Sequence, residues 1–119
     1  MILSHMPNHQ PIDAQIDRAF AALADPTRRA VVERLGQGPA SVSTLAADHP
    51  IALPSFMQHL RQLETAGLIR TEKQGRVRTC TLEPLALTAV EQWLVERRRT
   101  WEGRLGRLGH YLDALEDPK

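Results

Sequence analysis

The feature that most constrains this chain is its punctuation between residues 25 and 84. Asp25-Pro26, Gly36-Gln37-Gly38-Pro39, His49-Pro50, Gly67, Gly75 and Pro84 cut that stretch into short pieces. In order the pieces read as a helix, a short helix, a turn, a helix and a two-stranded hairpin. That order is a helix-turn-helix followed by a wing, an arrangement that sets one helix into the major groove of duplex DNA.

Each piece has a local physical reason. Asp25 suits an N-cap and Pro26 a first helical position, and the helix they open runs to Leu35 with Ala30, Val31 and Leu35 inward. Either Ser41 or Ser43 can cap the next helix, Ser43 to Asp48, anchored by Leu45; His49-Pro50 ends it. A further helix is expected from Leu53-Pro54 to Ala66, with Phe56, Leu60 and Leu63 as its apolar stripe and Gly67 as a left-handed C-cap. Two strands rich in β-branched residues, Leu68 to Glu72 and Val77 to Leu82, flank the turn Lys73-Gln74-Gly75-Arg76.

Helices precede and follow this unit. Ile12, Ile16, Phe20 and Leu23 lie on one face of a first helix, about Ile12 to Ala24. The last segment, about Leu85 to Leu115, reads as one long helix. Trp101, Leu105, Leu108, Leu112 and Leu115 make an a/d seam along it, which Leu87, Val90 and Leu94 extend upstream. The expected fold is mostly α with a small β-hairpin, a winged helix-turn-helix whose long terminal helices form a dimer interface. One such domain spans residues 11–115. Residues 1–10 lack periodicity and read as a disordered tail or a cloning remnant, Ser4-His5-Met6 being suggestive of the latter.

Composition narrows the partners. The net charge of the 119 residues is only +1, but the charge is uneven. Between Pro50 and Leu82 stand Arg61, Arg70, Lys73, Arg76 and Arg78 against only Glu64 and Glu72, the local excess that phosphate contact needs. The single cysteine, Cys80, rules out an internal disulfide and suits a reducing cytoplasm, the expected location. No apolar run approaches membrane-spanning length and no signal peptide is visible.

With Phe56, Leu60 and Leu63 buried, the opposite face of the fourth helix offers Ser55, Gln58, Arg61 and Gln62, with His59 at its margin. These donors and acceptors match base edges in a major groove, although a solvated surface face has the same composition. Lys73, Arg76 and Arg78 around the hairpin tip suit phosphate or minor-groove contact. The apolar seam of the last helix exceeds what a small domain can cover, so Ile16, Phe20, Leu94, Trp101, Leu105, Leu108 and Leu112 are read as the interface of a homodimer. A two-fold dimer implies an inverted-repeat operator with half-sites about one helical turn apart.

Metal, redox and catalytic roles have little behind them. The five histidines form no spaced pair, and the third helix holds no cysteine. An intersubunit site at His110 and a redox role for Cys80 stay open as alternatives. There is no phosphate loop, nucleophile elbow or HExxH helix, so no enzyme and no cofactor are expected.

The pieces FAALADPTRRAVVERL, GPASVSTLAA, LPSFMQHLRQLETAGLI and GRVRTCTLEP together resemble the ArsR-type winged-helix repressors, over roughly residues 12 to 115. The closing EQWLVERRRTWEGRLGRLGHYL resembles the metal-independent branch of that family. The resemblance implies a dimeric, non-enzymatic transcriptional regulator. Its reader helix would carry Ser55, Gln58, His59, Arg61 and Gln62, and its wing tip Lys73, Gly75 and Arg76. Thr44 would lie near a backbone phosphate. Two departures stand out: Ala52 replaces a frequent capping serine, and Met57 a commonly small or polar residue. The function expected is a repressor released by an unknown non-metal signal. The alternatives are a protein-interaction winged-helix module and a metal- or redox-responsive repressor.

Overall fold

The computed structural model describes the backbone of residues 11–116 and the side chains of 14–115. The expectation for residues 1–10 lies outside this range. Eight elements follow one another: α1 (Pro11–Leu23), α2 (Pro26–Leu35), β1 (Ala40–Ser41), α3 (Val42–Ala47), α4 (Leu53–Thr65), β2 (Ile69–Gln74), β3 (Val77–Leu82) and α5 (Pro84–Glu116). The chain is thus mostly helical, with a small antiparallel sheet in the order β1-β3-β2.

The helix ends follow the local chemistry. Asp25 caps α2 by accepting a 3.0 Å hydrogen bond from the Arg28 backbone N–H, with Pro26 in the first turn. Ser41, rather than Ser43, caps α3; its Oγ accepts from the Thr44 backbone N–H at 3.1 Å. Gly67 takes φ of 75° after α4. There the Leu68 N–H donates to Leu63 and the Gly67 N–H to Glu64, so the last carbonyls of α4 are satisfied by a Schellman motif.

The sheet differs from the expected two-stranded hairpin in two ways. Ala40 and Ser41 add a third strand, pairing with Cys80 and Thr79. A two-residue strand has no periodicity of its own and exists only because β3 lies beside it. The hairpin is also tighter than the four-residue turn expected from sequence. Gln74 pairs with Val77, and only Gly75 and Arg76 form the loop. Gly75 has φ of 64°, a positive value at the first central position that a II′ turn requires.

One core joins these elements. Val31 of α2, Leu45 of α3, Phe56 and Leu63 of α4, Leu68 and Cys80 are its largest fully buried side chains. Ala86 and Val90, near the start of α5, complete the same cluster with Ala19 and Ala22 of α1. At 1.5 Å per residue, the 33 residues of α5 run for about 50 Å. Only the first part packs on the core.

Candidate nucleic-acid interface

Helix α4 is oriented by what it buries. Phe56, Leu60 and Leu63 sit in the core, and the His49 ring stacks on Phe56 at 5.4 Å between centroids. This leaves Ser55, Gln58, Arg61 and Gln62 exposed, with His59 and Met57 half-buried at the edges. Arg61 Nη2 donates to Gln58 Oε1 at 2.9 Å, so these two side chains stand as a pair one turn apart. Ala52 occupies the N-cap position of α4 without a side-chain hydrogen bond.

The hairpin tip lies beside α4. Met57 of α4, Ser41 to Ser43, and Arg76, Val77 and Arg78 line one groove of about 310 Å³. Thr44 is exposed near this groove, its hydroxyl accepting from Ser41 Oγ at 2.9 Å. Lys73 is directly opposite Arg78 across the ladder. Like charges placed so repel one another, and among the described residues no carboxylate pairs with Lys73, Arg76 or Arg78. Arg70 belongs elsewhere: it bridges Glu72 at 3.1 Å and Glu83, which removes it from the basic excess counted in the sequence.

Sequence reasoning missed a polar joint behind the reader helix. Arg28 Nε donates to the Ala22 carbonyl at 2.7 Å and its Nη2 to Ala21 at 3.2 Å, while Arg29 Nη1 reaches Leu23 at 2.7 Å. The two arginines thus close the last turn of α1, where unpaired carbonyls and the helix dipole favour cations. Arg28 Nη1 also lies 3.1 Å from His59 Nδ1, and Asp25 Oδ2 lies 3.8 Å from the same nitrogen. The backbone N–H of Arg28, donating to Asp25 Oδ2 at 3.0 Å, is the foremost cause that holds the Asp25 carboxyl below its usual range. The adjacent Thr-Arg-Arg after a capped proline was the only signal available.

The residues expected to form a subunit interface divide into two groups. Ile16 is 8% exposed and already covered within its own chain. Phe20 packs edge-on against Trp93 at 5.5 Å, over which the Arg97 guanidinium lies at 5.0 Å. Along α5 beyond Trp93, by contrast, Leu94, Trp101, Leu105, Leu108 and Leu112 are exposed, Trp101 to 60% and Leu112 to 47%. Tyr111 and Leu115 are exposed beside them.

Cys80 is buried, and burial above all pushes its thiol up; Glu64 adds to this and Arg78 opposes it. His110 is exposed on α5, and no group of three or more metal-ligating side chains occurs among the described residues. No helix among them is long and apolar enough to cross a membrane.

Comparison with known proteins agrees with this geometry. A helix-turn-helix domain family matches residues 23–72. The HTH-type transcriptional regulator Rv2034 of Mycobacterium tuberculosis is 41% identical over 101 residues, which are 85% of this chain and 92% of that one. The transcriptional repressor SdpR of Bacillus subtilis is 28% identical over 80 residues, 67% of this chain and 89% of its own. Among solved structures, the ArsR family transcriptional regulator RHA00566 superposes with a TM-score of 0.73 at 58% identity, covering 76% of this chain and 93% of that chain. These relatives are regulators rather than enzymes. The chain belongs to the ArsR family of winged helix-turn-helix transcriptional regulators.

Proposed function

We propose that this regulator is a homodimeric repressor that lays α4 in the major groove of an operator and sets its hairpin on the flanking backbone. Ser55, Gln58, His59, Arg61 and Gln62 face the base edges in this reading, and Thr44, Lys73, Arg76 and Arg78 face phosphate. The observation that carries it is the groove in which Met57, at the edge of α4's polar face, meets Arg76 and Arg78 of a hairpin tip whose cations have no acidic partner among the described residues. An anion beside Lys73 and Arg78 would relieve their mutual repulsion.

The dimer rests on α5. Leu94, Trp101, Leu105, Leu108 and Leu112 form a seam at coiled-coil spacing that is exposed among the described residues. A second copy supplies the matching seam under two-fold symmetry, and two reader helices then address an inverted repeat with half-sites about one turn apart. Such a complex occludes a promoter in the cytoplasm. Its release follows a signal other than thiolate-bound metal, acting by a shift between dimer forms that differ in reader-helix spacing.

Fluorescence anisotropy on the fragment upstream of the protein's own coding sequence, against random duplex across a salt series, tests this reading. Selective binding that weakens steeply with salt is expected, through counterion release. Salt-insensitive or absent binding to every duplex in a genome-wide selection would instead favour a protein-interaction module.

A further inference from the structure

The joint between α2 and α4 fixes the chemistry of His59. The guanidinium of Arg28 carries only N–H donors and keeps its proton in proteins. It lies with Nη1 3.1 Å from His59 Nδ1, so Nδ1 must be the acceptor and bears no proton. A neutral imidazole with a bare Nδ1 carries its hydrogen on Nε2. Arg28 is itself held in place by the carbonyls of Ala21 and Ala22 and by its backbone bond to Asp25. It has little freedom to release the ring.

The other ring nitrogen is available. Nε2 has no partner among the described residues, and no half-buried or buried residue among them hides an unpartnered side-chain nitrogen or oxygen. Nε2 therefore reaches solvent, from a position one turn from Ser55 on one side and Gln62 on the other.

We propose that Arg28 is a positioning residue that presets His59 as the Nε2–H tautomer, making it a directed hydrogen-bond donor to an acceptor on DNA. This rests on the reading of α4 as the reader helix. The acceptor is either a purine edge, such as guanine N7 or O6, or a phosphate oxygen. Asp25 Oδ2 only accepts and so favours a hydrogen on Nδ1, but at 3.8 Å it lies beyond hydrogen-bond reach, whereas the Arg28 donor stands within it at 3.1 Å.

Imidazole-labelled NMR of the full-length protein reads the tautomer directly. Wild type is expected to show a bare Nδ1 and a protonated Nε2, and Arg28→Met a mixture of both tautomers. Because Arg28→Met also strips the end of α1, a second arm leaves Arg28 intact. His59→Ala should weaken binding about 3- to 10-fold for each half-site, one hydrogen bond's worth per chain, and His59→Gln, whose amide still donates, should keep most of it. A loss confined to the selected duplex identifies a base acceptor; an equal loss on random duplex identifies phosphate. A hydrogen on Nδ1 in the wild type, or unchanged binding by His59→Ala, would overturn the proposal. Absence of duplex binding by the wild type would overturn the reading of α4 itself, whatever the tautomer.

Discussion

In α4 the stripe Phe56, Leu60 and Leu63 is sealed against the chain's own core, whereas in α5 Leu105, Leu108 and Leu112 stand in solvent at similar spacing. The difference lies in the surroundings. Helix α4 is clasped by α1, α2 and β2, so its apolar side has a partner and its polar side is left to face outward. Helix α5 meets the domain through residues near its start, Ala86, Leu87, Val90 and Trp93 among them, and then runs beyond it. The winged unit buries its apolar stripes within one chain; the outer half of α5 leaves its apolar stripe exposed among the described residues.

This contrast is breakable at several points. Phe56→Ala should destabilise the chain by about 3–5 kcal/mol through lost burial and a cavity, read from the urea midpoint. If Phe56→Ala and Trp101→Ala shifted the midpoint equally at low protein concentration, the two helices would not differ as described. Leu105→Glu combined with Leu112→Glu should leave a folded monomer. Two lost interface contacts at about 2 kcal/mol each weaken association roughly a thousand-fold, measured by sedimentation equilibrium.

Smaller effects sharpen the reader half. Gln58→Ala should change which duplex is preferred, by about 1–3 kcal/mol between the best site and its variants. Arg76→Ala should weaken all duplexes alike and lower the slope of log K against log salt by about 0.9 per chain, about 1.8 for the bound dimer. Identical behaviour of the two would erase the division between reader and hairpin.

Two titrations complete the series. The Cys80 thiol is raised by burial, so its contribution to stability is full below its unfolded value and lost as pH rises through its folded value. Iodoacetamide should label native Cys80 only at the rate of opening; fast labelling at neutral pH would reopen a redox role. Asp25 is shifted the other way, chiefly by the Arg28 backbone hydrogen bond. Its contribution is present above the ordinary carboxylate value and lost as pH falls through the folded one. Asp25→Asn should flatten that acid limb slightly.

Much of the winged unit was legible because its signals are local. The apolar repeat of α4, the Asp25-Pro26 start of α2 and the glycine at 67 each act within one turn, and each forms as read. What escaped depends on contacts between distant residues. Strand β1 needs β3; the Arg28–His59 joint spans 31 positions; Arg70 is neutralised by Glu83, 13 positions away. The turn was misjudged by two residues because Lys73 and Gln74 suit a loop as well as a strand, and only pairing with Arg78 and Val77 decides it. The seam of α5 was legible as a pattern, but a pattern alone does not say whether the chain covers it.

The most direct test of a reader that works only in pairs is the mass of its complex with a selected duplex, by native mass spectrometry. The account predicts two chains per duplex on an inverted repeat, and loss of that species when Leu105 and Leu112 are replaced by glutamate. A single chain bound to one half-site with undiminished affinity and selectivity would contradict it.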